Sequence, residues 1–324
     1  MEGLLLAVAA VIVTFNSEDV IEDCLRAISR VNALSNAAAQ IYAVVVDNAS
    51  TDQTVERARE HRPAHLIENS ANLGFAAAVN QGARRAAPDD FILMLNPDAV
   101  VTTSLEPVVE ACRKSGLAAG KLVGSDGKAQ VGFTVRRFPT PASVMAELLG
   151  INKLWPHNTT NRRYRYIERD PDMHGAVEQP AGAFLMVRRD VWDRLEGMDE
   201  QFYPVWFEDV DFCHRAVDAG YSIEYVPSVE AVHLGGHAVN KVEAGERATY
   251  WCVSLLRYSR KYFPALAFRA VCLGMIVGSV PRMAAGVRTA HSISPVFSYL
   301  KIMLYAGACF IRPANVGKAL TVRP

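Results

Sequence analysis

The chain lacks the features that define several specialised classes of protein. Its 324 residues carry 34 Lys and Arg against 34 Asp and Glu, so its formal net charge is zero, and 50% of the residues are hydrophobic. Disordered chains combine low hydrophobicity with high net charge, which excludes that class. The six cysteines are scattered and form no C-x-x-C pair. This excludes a disulfide scaffold and indicates reduced thiols in a cytosolic protein.

Acidic residues are missing from the C-terminal part of the chain. No Asp or Glu follows Glu246, whereas eleven Lys or Arg residues do, which leaves 23 basic and 34 acidic residues in 1–246. The two parts therefore carry formal charges of about −11 and +11. Such an asymmetry indicates a membrane or nucleic-acid contact at the basic end.

Uninterrupted apolar runs of the ~20 residues that a spanning helix needs are also missing. Ala265–Val280 is apolar apart from Arg269, and Val296–Ile311 is apolar apart from Lys301. Helices that lie on a membrane are expected from these runs. Because long apolar stretches separate the basic residues, we expect an anionic membrane surface as the partner of 247–324, and no nucleic acid. The N-terminal run Leu4–Val13 is typical of a buried strand, not of a signal peptide.

Short apolar runs alternate with amphipathic stretches through the first hundred residues. Continuously apolar strands of this kind are buried on both faces by crossover helices, so the pattern predicts a parallel, doubly wound α/β unit. The predicted strands are Ala10–Thr14, Ile41–Asp47, His65–Glu68 and Phe91–Leu95, and the predicted helices are Ser17–Val31, Thr51–Glu60 and Phe75–Ala86. A second ordered block is predicted over 179–237, with a strand at Ala183–Val187 and helices at Arg189–Leu195 and Asp209–Ala219.

Polar residues gather where three of these strands end. They are Thr14 and Asn16, then Asp47 and Asn48, then Asn96 and Asp98. Ligands of open α/β sheets bind at the carboxyl ends of strands, so one shared pocket is expected. Asp98 could ligate a hard divalent cation or simply cap a turn. Asp47 could accept the N3–H of a pyrimidine or hold a structural turn, whereas Ser50 and Gln53 have the spacing of a capping box.

Two further segments carry candidate functional groups. Asn72–Asn80 leads into a helix of small residues, which suits either a close approach to phosphate or close helix–sheet packing. Three carboxylates follow an aromatic run in Phe202–Asp211, a setting that raises carboxylate pKa values and suits a general base. The acid-rich start of a helix is the alternative, and we prefer it for Asp211. His233 is either a core histidine or part of a ligand site.

In this order, the motifs resemble the family 2 glycosyltransferases, in particular the rhamnosyltransferase-like branch of the GT-A fold. The resemblance spans about residues 10–237. The motifs are Val11–Asn16, Val46–Asp52, Asn72–Phe75 with Asn80, Leu95–Asp98, Gly182–Arg189, Gly197–Glu200, Phe207–Asp211 and His233. The sequence departs from the family's Asp-x-Asp motif at Asn96, which leaves one fewer charged candidate ligand.

The resemblance implies a role for each matched position. Thr14, Asn16, Asp47, Asn48, Asn72, Gly74, Asn80 and Asn96 would bind a nucleoside-diphosphate sugar. Asp98 and His233 would hold Mg²⁺ or Mn²⁺, which would neutralise the leaving diphosphate. Asp209 would be the catalytic base of an inverting transfer, with Trp206 and Glu208 contacting the acceptor.

We therefore expect a GT-A glycosyltransferase domain over 1–240, with a mostly parallel central sheet flanked by helices. Residues 1–100 would bind the nucleotide sugar, 101–240 would bind the acceptor, and 241–324 would form a basic helical extension at the membrane. The first choice of donor by family branch is dTDP-rhamnose, ahead of UDP-galactofuranose and UDP-N-acetylglucosamine. A lipid-linked or polysaccharide acceptor at the inner face of the cell membrane is expected. A non-catalytic nucleotide-binding or scaffold protein is the alternative of another class.

Overall fold

The computed structural model describes residues 6–34, 39–88, 90–236 and 241–316. The chain divides into two compact units. The first comprises Met1–Arg137, Arg169–Glu200 and Glu208–Ala238, and the second comprises Phe138–Glu168, Gln201–Phe207 and Val239–Pro324. The expected boundary at residue 240 lies outside the described residues, so the division into 1–240 and 241–324 stays a prediction.

The described strands belong to the first unit. In chain order they are β1 (Leu6–Thr14), β2 (Ala39–Asp47), β3 (His65–Glu68), β4 (Phe91–Leu95), β5 (Ala99–Val101), β6 (Gly116–Val123), β7 (Val135–Arg136), β8 (Gly175–Ala176), β9 (Gln179–Pro180), β10 (Phe184–Arg188) and β11 (Ser222–His233). The main sheet has the order β3-β2-β1-β4-β10-β6-β11-β5, with β8 paired to β11, and β7 pairs separately with β9.

The described helices are divided between the two units. In chain order they are α1 (Ile21–Leu34), α2 (Thr54–Glu60), α3 (Phe75–Ala83), α4 (Glu106–Ser115), α5 (Pro141–Leu148), α6 (Ile151–Leu154), α7 (Thr159–Tyr164), α8 (Arg189–Arg194), α9 (Glu208–Asp218), α10 (Ala244–Tyr262), α11 (Ala265–Ala290) and α12 (Ser294–Ile311). Helices α1–α4, α8 and α9 lie in the first unit, and the others lie in the second.

The first half of the main sheet is parallel, as its apolar strands predict. β1 pairs in parallel with both β2 and β4, and β2 pairs in parallel with β3. β10 then lies antiparallel between β4 and β6. The strands β1 and β4 are almost fully buried because helices cover both faces of the sheet. This mixed sheet flanked by helices confirms the expected α/β architecture.

The small residues of α3 serve close helix–sheet packing. Ala76, Ala78, Gly82 and Ala83 are buried. A Cβ atom added to Gly82 would overlap the side chain of Val11 in β1, so only glycine permits this approach. Of the two explanations open for this helix, the structure directly supports packing.

Helix starts differ from the sequence prediction at two places. α1 begins at Ile21, not at Ser17, and α2 begins at Thr54, not at Thr51. The predicted capping box is wrong, because the N-cap of α2 is Gln53 without a side-chain cap bond. The hydroxyl of Ser50 instead donates to the carboxylate of Asp47 at 2.5 Å. The carboxylate of Asp47, at the end of β2, therefore holds the turn between β2 and α2.

The second unit has its own helical core. Phe268, Cys272 and Met275 of α11 are buried together with Leu256 of α10 and Ala306 of α12. α11 has 26 residues and continues through Pro281, so the sequence prediction of a shorter apolar helix ending near Val280 is wrong. In the described part of the chain, Ala265–Thr289 and Ser294–Ile311 are long and apolar enough to cross a membrane, judged by length and composition alone.

Candidate active site

The three polar strand ends lie at one edge of the sheet. Thr14 at the end of β1 is in register with Asp47 at the end of β2. On its other side, β1 pairs in parallel with β4, in which Leu95 precedes the segment Asn96-Pro97-Asp98. The three strand ends are thus neighbours, because β1 lies between β2 and β4, and the shared pocket expected there stays a prediction.

The Asp47 carboxylate joins the ends of β1 and β2. Its Oδ1 accepts hydrogen bonds from the hydroxyls of Thr14 at 2.8 Å and Ser50 at 2.5 Å, and its Oδ2 accepts the Ser50 amide at 2.8 Å. Asn16, at φ 49°, donates its amide to Ser50 Oγ and accepts the Thr51 amide on Oδ1, both at 2.8 Å. Asp47 and Asn16 therefore build the turn that forms this edge.

Asn48 fastens the next loop to the strand end. Its Nδ2 donates to the Gly74 carbonyl at 3.2 Å, and its Oδ1 accepts from Asn69 Nδ2 at 3.0 Å. Asn72 Oδ1 accepts the Gly74 amide at 2.9 Å. Gly74 has a φ of 86°, which favours glycine, and it is the N-cap of α3. Asn69 was missed by sequence reasoning because it lies in a polar turn without a pattern of its own.

Asn80 binds the loop Gly197–Glu200. Its side chain is buried, Nδ2 donates to the Met198 carbonyl at 2.9 Å and to Glu200 Oε1 at 3.0 Å, and Oδ1 accepts the Met198 amide at 2.9 Å. A Cβ at Gly197 would lie 2.5 Å from Asn80 Oδ1. These contacts use both the nitrogen and the oxygen of the Asn80 side-chain amide, and they connect α3 to the loop that follows α8.

Asp98 and His233 lie side by side. Asp98 Oδ1 is 3.5 Å from His233 Nε2, and both side chains are buried. The backbone brings them together, because His233 of β11 is in register with Ala99 of β5. Asp98 Oδ2 also accepts the Gly235 amide at 3.0 Å. The two side chains that the resemblance assigns to a cation are thus adjacent.

Gln130 and Phe133 hold the imidazole of His233, and sequence reasoning missed both. Gln130 Oε1 is 3.0 Å from His233 Nδ1, which assigns the Nδ1–H tautomer to the neutral imidazole, and Gln130 Nε2 donates to the His233 carbonyl at 2.7 Å. Asn96 Nδ2 is 3.3 Å from Nε2 and can donate to its lone pair. The Phe133 ring stacks on the imidazole at 5.2 Å between centroids. Nε2 therefore presents a lone pair beside Asp98.

Asp209 is connected to the end of β4 through two consecutive residues, Gly182 and Ala183. The amide of Gly182 donates to Asp209 Oδ2 at 2.9 Å, and the carbonyl of the next residue, Ala183, accepts the Asn96 amide at 3.1 Å. A Cβ at Gly182 would lie 3.1 Å from the Asp209 Cβ, so glycine permits the close approach. The half-buried Asp209 thus lies near the segment that carries Asp98.

Glu208 differs sharply from its neighbour Asp209. Its carboxyl is buried, and Oε2 has no hydrogen-bond partner among the described residues. Burial, followed by the charge of Asp209, raises the pKa of Glu208 well above its usual value. Trp206 and Phe207, directly before it, have φ values of 78° and 70°, which are unfavourable for bulky residues. Local backbone strain therefore lies directly before Glu208, which in turn precedes Asp209.

Asp211 has a structural partner. Its buried carboxylate pairs with Arg215 at 2.8 Å, and Arg215 also donates to the carbonyls of Leu195 and Gly197. This agrees with our preference for a structural role. Among the residues that the structure describes, no group of three or more His, Cys, Asp or Glu side chains is arranged to hold a metal ion.

Comparison with known proteins identifies the class of enzyme. The chain matches the model of the family described as Glycosyl transferase family 2 over residues 9–195. The chain therefore belongs to glycosyl transferase family 2, and it is a glycosyltransferase. A solved structure, the mannosyltransferase PcManGT from Pyrobaculum calidifontis in complex with GDP-Man and Mn2+, is similar with a TM-score of 0.52 at 17% identity, over 94% of this chain and 87% of that chain. This likeness confirms the GT-A fold.

Two curated relatives are rhamnosyltransferases. The N-acetylglucosaminyl-diphospho-decaprenol L-rhamnosyltransferase of Mycobacterium tuberculosis is 28% identical over 225 residues, which cover 65% of this chain and 72% of that protein. Rhamnosyltransferase WbbL of Escherichia coli strain K12 is 30% identical over 171 residues, which cover 51% of this chain and 60% of that protein. The chain is therefore rhamnosyltransferase-like within its family.

The contacts of Asn80 predict a loss of stability on substitution. Asn80→Ala leaves the buried backbone groups of Met198 without partners, so we expect the free energy of unfolding to fall by about 2–3 kcal/mol. Chemical denaturation measures this change. Substitution of the exposed Gln53 by Ala is the control and should have little effect. Unchanged stability combined with weakened nucleotide binding would instead assign Asn80 to the donor site.

The environment of Glu208 predicts a pH-dependent gain in stability on substitution. A carboxyl whose pKa is higher in the folded than in the unfolded state contributes stability below its unfolded pKa and loses it as the pH rises towards the folded pKa. Glu208→Gln removes this loss. At neutral pH the free energy of unfolding of the variant should exceed that of the wild type by about 1.4 kcal/mol for each unit of pKa displacement, so the variant should also unfold at a higher temperature.

The stability advantage of Glu208→Gln should shrink towards about pH 4, where the unfolded carboxyl is itself protonated. Thermal unfolding over a pH series tests this, with the exposed Glu56→Gln of α2 as the matched control. A variant less stable than the wild type at neutral pH would show that the Glu208 carboxylate is ionised and paired.

Proposed function

We propose that this glycosyltransferase moves a sugar from a nucleoside-diphosphate donor to a hydroxyl of a lipid-linked or polysaccharide acceptor in cell-envelope glycan synthesis. L-rhamnose from dTDP-rhamnose is the first choice, because two relatives are named rhamnosyltransferases. UDP-galactofuranose and UDP-N-acetylglucosamine are the alternative donors. The observation that carries the proposal is that the two consecutive residues Gly182 and Ala183 bind Asp209 and Asn96, the latter in the segment that carries Asp98.

Asp98 and His233 are the proposed ligands of a divalent cation, either Mg²⁺ or Mn²⁺. A carboxylate oxygen and an imidazole lone pair 3.5 Å apart suit such an ion. Metal-binding histidines commonly donate their other N–H to an oxygen, as His233 does to Gln130. Two protein ligands are sufficient where substrate phosphates supply further oxygens. When bound, the cation would neutralise the charge that develops on the leaving diphosphate.

Asp209 is the proposed catalytic base. Its two carboxylate oxygens accept the amides of Gly182 and Val210, at 2.9 and 2.8 Å, which orients the group while it stays half-buried and accessible. It would remove the proton of an acceptor hydroxyl that attacks the anomeric carbon from the face opposite the diphosphate. The transfer would therefore invert the anomeric configuration. Trp206 and Glu208, which precede Asp209, are the proposed acceptor contacts.

The turn around Asp47 is the proposed donor nucleotide site. Thr14 and Asn16 are engaged in this turn, as are Asn48, Asn72 and Gly74 in the next one. Both oxygens of Asp47 already accept hydrogen bonds, yet each carboxylate oxygen can accept more than one. A pyrimidine N3–H can therefore add to the existing contacts. Asn80 and Asn96 would support this edge by holding the surrounding loops.

Attachment to the inner face of the cell membrane is the proposed location. The relative from Mycobacterium tuberculosis is named for a decaprenol-linked substrate, which is a lipid. All eleven charged residues after Glu246 are basic. Anionic lipid attracts each nearby Lys or Arg by about 1 kcal/mol, so a basic segment favours the surface on which such an acceptor resides.

Replacement of the base should abolish transfer without unfolding the protein. Asp209→Asn keeps the shape of the side chain but removes its proton affinity, so kcat should fall by about 10²–10⁴. Turnover of dTDP-rhamnose and the two UDP-sugars measures this, and NMR of the product anomer tests inversion. Asp218→Asn, an exposed position on the same helix, is the matched control. Unchanged turnover in Asp209→Asn would exclude this base, and a wild type inactive on every sugar nucleotide would favour a scaffold.

Cation binding should depend on both Asp98 and Gln130. Asp98→Ala removes a ligand and should abolish Mn²⁺ binding in the presence of nucleoside diphosphate. Gln130→Leu removes the acceptor that holds His233 Nδ1–H, so affinity should fall by about 10–100-fold. Electron paramagnetic resonance of Mn²⁺ measures both, with Asp126→Asn in the exposed Gly124–Gly127 turn as the control. Wild-type affinity in Asp98→Ala would show that the cation binds elsewhere.

A further inference from the structure

α11 exposes an apolar face on the side opposite to the core of the second unit. Leu266, Leu273, Val277 and Val280 are 49–81% exposed, and their spacing of seven, four and three residues places them on one face of the helix. The opposite face, which includes Phe268, is buried. Exposed apolar surface of this extent is rare in a soluble monomer and indicates an interaction site.

α12 has the same organisation. Phe297, Leu300, Leu304 and Ile311 are 43–75% exposed, whereas Ile302 and Ala306 are buried in the helical core that α12 shares with α11. The two helices pack against each other. The second unit therefore carries two neighbouring helices, each of which has one buried and one exposed apolar face.

A third apolar element comes from the middle of the chain. Leu154 and Trp155, at the end of α6, are 87% and 64% exposed, and Leu149 and Ile151 just before them are also exposed. This segment, 149–155, lies outside the basic tail that the sequence analysis identified. Trp is favoured at the boundary between headgroups and acyl chains, where its ring contacts both environments.

The 149–155 segment follows a helix that is fixed against α11. A Cβ at Gly274 would lie 2.7 Å from Met145 Sδ, and one at Gly278 would overlap the carbonyl of Leu148. The guanidinium of Arg282 donates to the carbonyls of Glu147, at 2.7 Å, and Leu148. These contacts join the end of α5 to α11, and the apolar segment that follows α5 belongs to the same compact unit as α11.

The charges around these exposed apolar faces indicate which kind of partner binds them. Arg269, Arg288, Lys301 and Arg312 on or beside α11 and α12 are exposed, as is Lys153 beside Leu154, and no acidic residue follows Glu246. A second copy of the same face would bring like charges together, which disfavours a homodimer. Anionic headgroups above an apolar layer match both the basic and the apolar residues.

We propose that the second unit docks on an anionic lipid surface through a composite face made of α11, α12 and segment 149–155. Leu154 and Trp155 insert at the acyl boundary, and the basic residues bind the headgroups. The inference deepens the proposed function, on which it rests for the membrane partner, and it adds a specific insertion point that the tail does not contain. α11 lies along the surface because its other face is occupied by protein.

Vesicle flotation of the full chain tests the proposal. The wild type should bind phosphatidylcholine vesicles that contain phosphatidylglycerol, bind pure phosphatidylcholine weakly, and lose binding at high salt. Leu154→Ser combined with Trp155→Ser should lower the partition coefficient about tenfold or more, because two large apolar side chains no longer enter the lipid. Met173→Ser, at a residue 50% exposed in the first unit, is the matched control and should bind like the wild type.

Two further measurements keep the outcome interpretable. Brominated lipid should quench the fluorescence of the wild type and not that of Trp155→Phe at the same bound fraction. Hydrolysis of the sugar nucleotide by the double variant should equal that of the wild type, which separates failed docking from failed catalysis. Wild-type partitioning of the double variant would overturn the proposal. So would a dimer, seen without lipid, that the double substitution converts to monomer.

Discussion

The two-residue segment Gly182-Ala183 is the constraint on which the arrangement of the candidate active site depends. Its carbonyl at Ala183 binds the first residue after β4, and its amide at Gly182 binds Asp209. Antiparallel β10, which follows this segment, lies between β4 and β6, so the segment is held by the sheet itself. A Cβ at Gly182 would lie only 3.1 Å from the Cβ of Asp209, closer than side chains normally pack. The backbone of the sheet therefore sets the distance between the proposed base and the proposed cation ligand.

The same sheet also places Asp98 next to His233, through a different pair of strands. β5 follows Asp98 directly and pairs with the end of β11, which places His233 opposite Ala99. Pairing alone does not orient an imidazole, however. Gln130 performs that task by accepting from Nδ1–H and donating to the His233 carbonyl, so that one amide holds both the ring and its backbone. The proposed cation site thus depends on a short strand pairing and on one side chain from an irregular segment.

The difference between strand pairing and side-chain orientation explains which features the sequence could predict. The parallel half of the sheet and its polar ends follow from strand periodicity and strand order, so the meeting of Thr14, Asp47 and Asp98 at one edge was predictable. Gln130 lies between turns without periodicity, and its partner His233 is remote in sequence, so no local pattern identifies it. At Ser50, by contrast, a local pattern predicted a helix cap that the structure does not contain. The spacing of Ser50 to Gln53 fits a helix cap, but the carboxylate of Asp47 is a stronger acceptor and a nearer partner than the helix.

The length of α11 was underestimated for a reason that also bears on the surface of the second unit. Pro281 and Arg282 interrupt the apolar run, and both usually indicate the end of a buried helix. Here the Arg282 guanidinium binds the carbonyls of Glu147 and Leu148 at the end of α5. The half-exposed guanidinium is therefore hydrogen-bonded to a neighbouring helix end. As a result α11 continues to Ala290 and keeps Arg288 exposed near its end, beyond its apolar face. Arg282, which interrupts the apolar pattern of the sequence, thus stabilises a contact between two helices from within the longer helix.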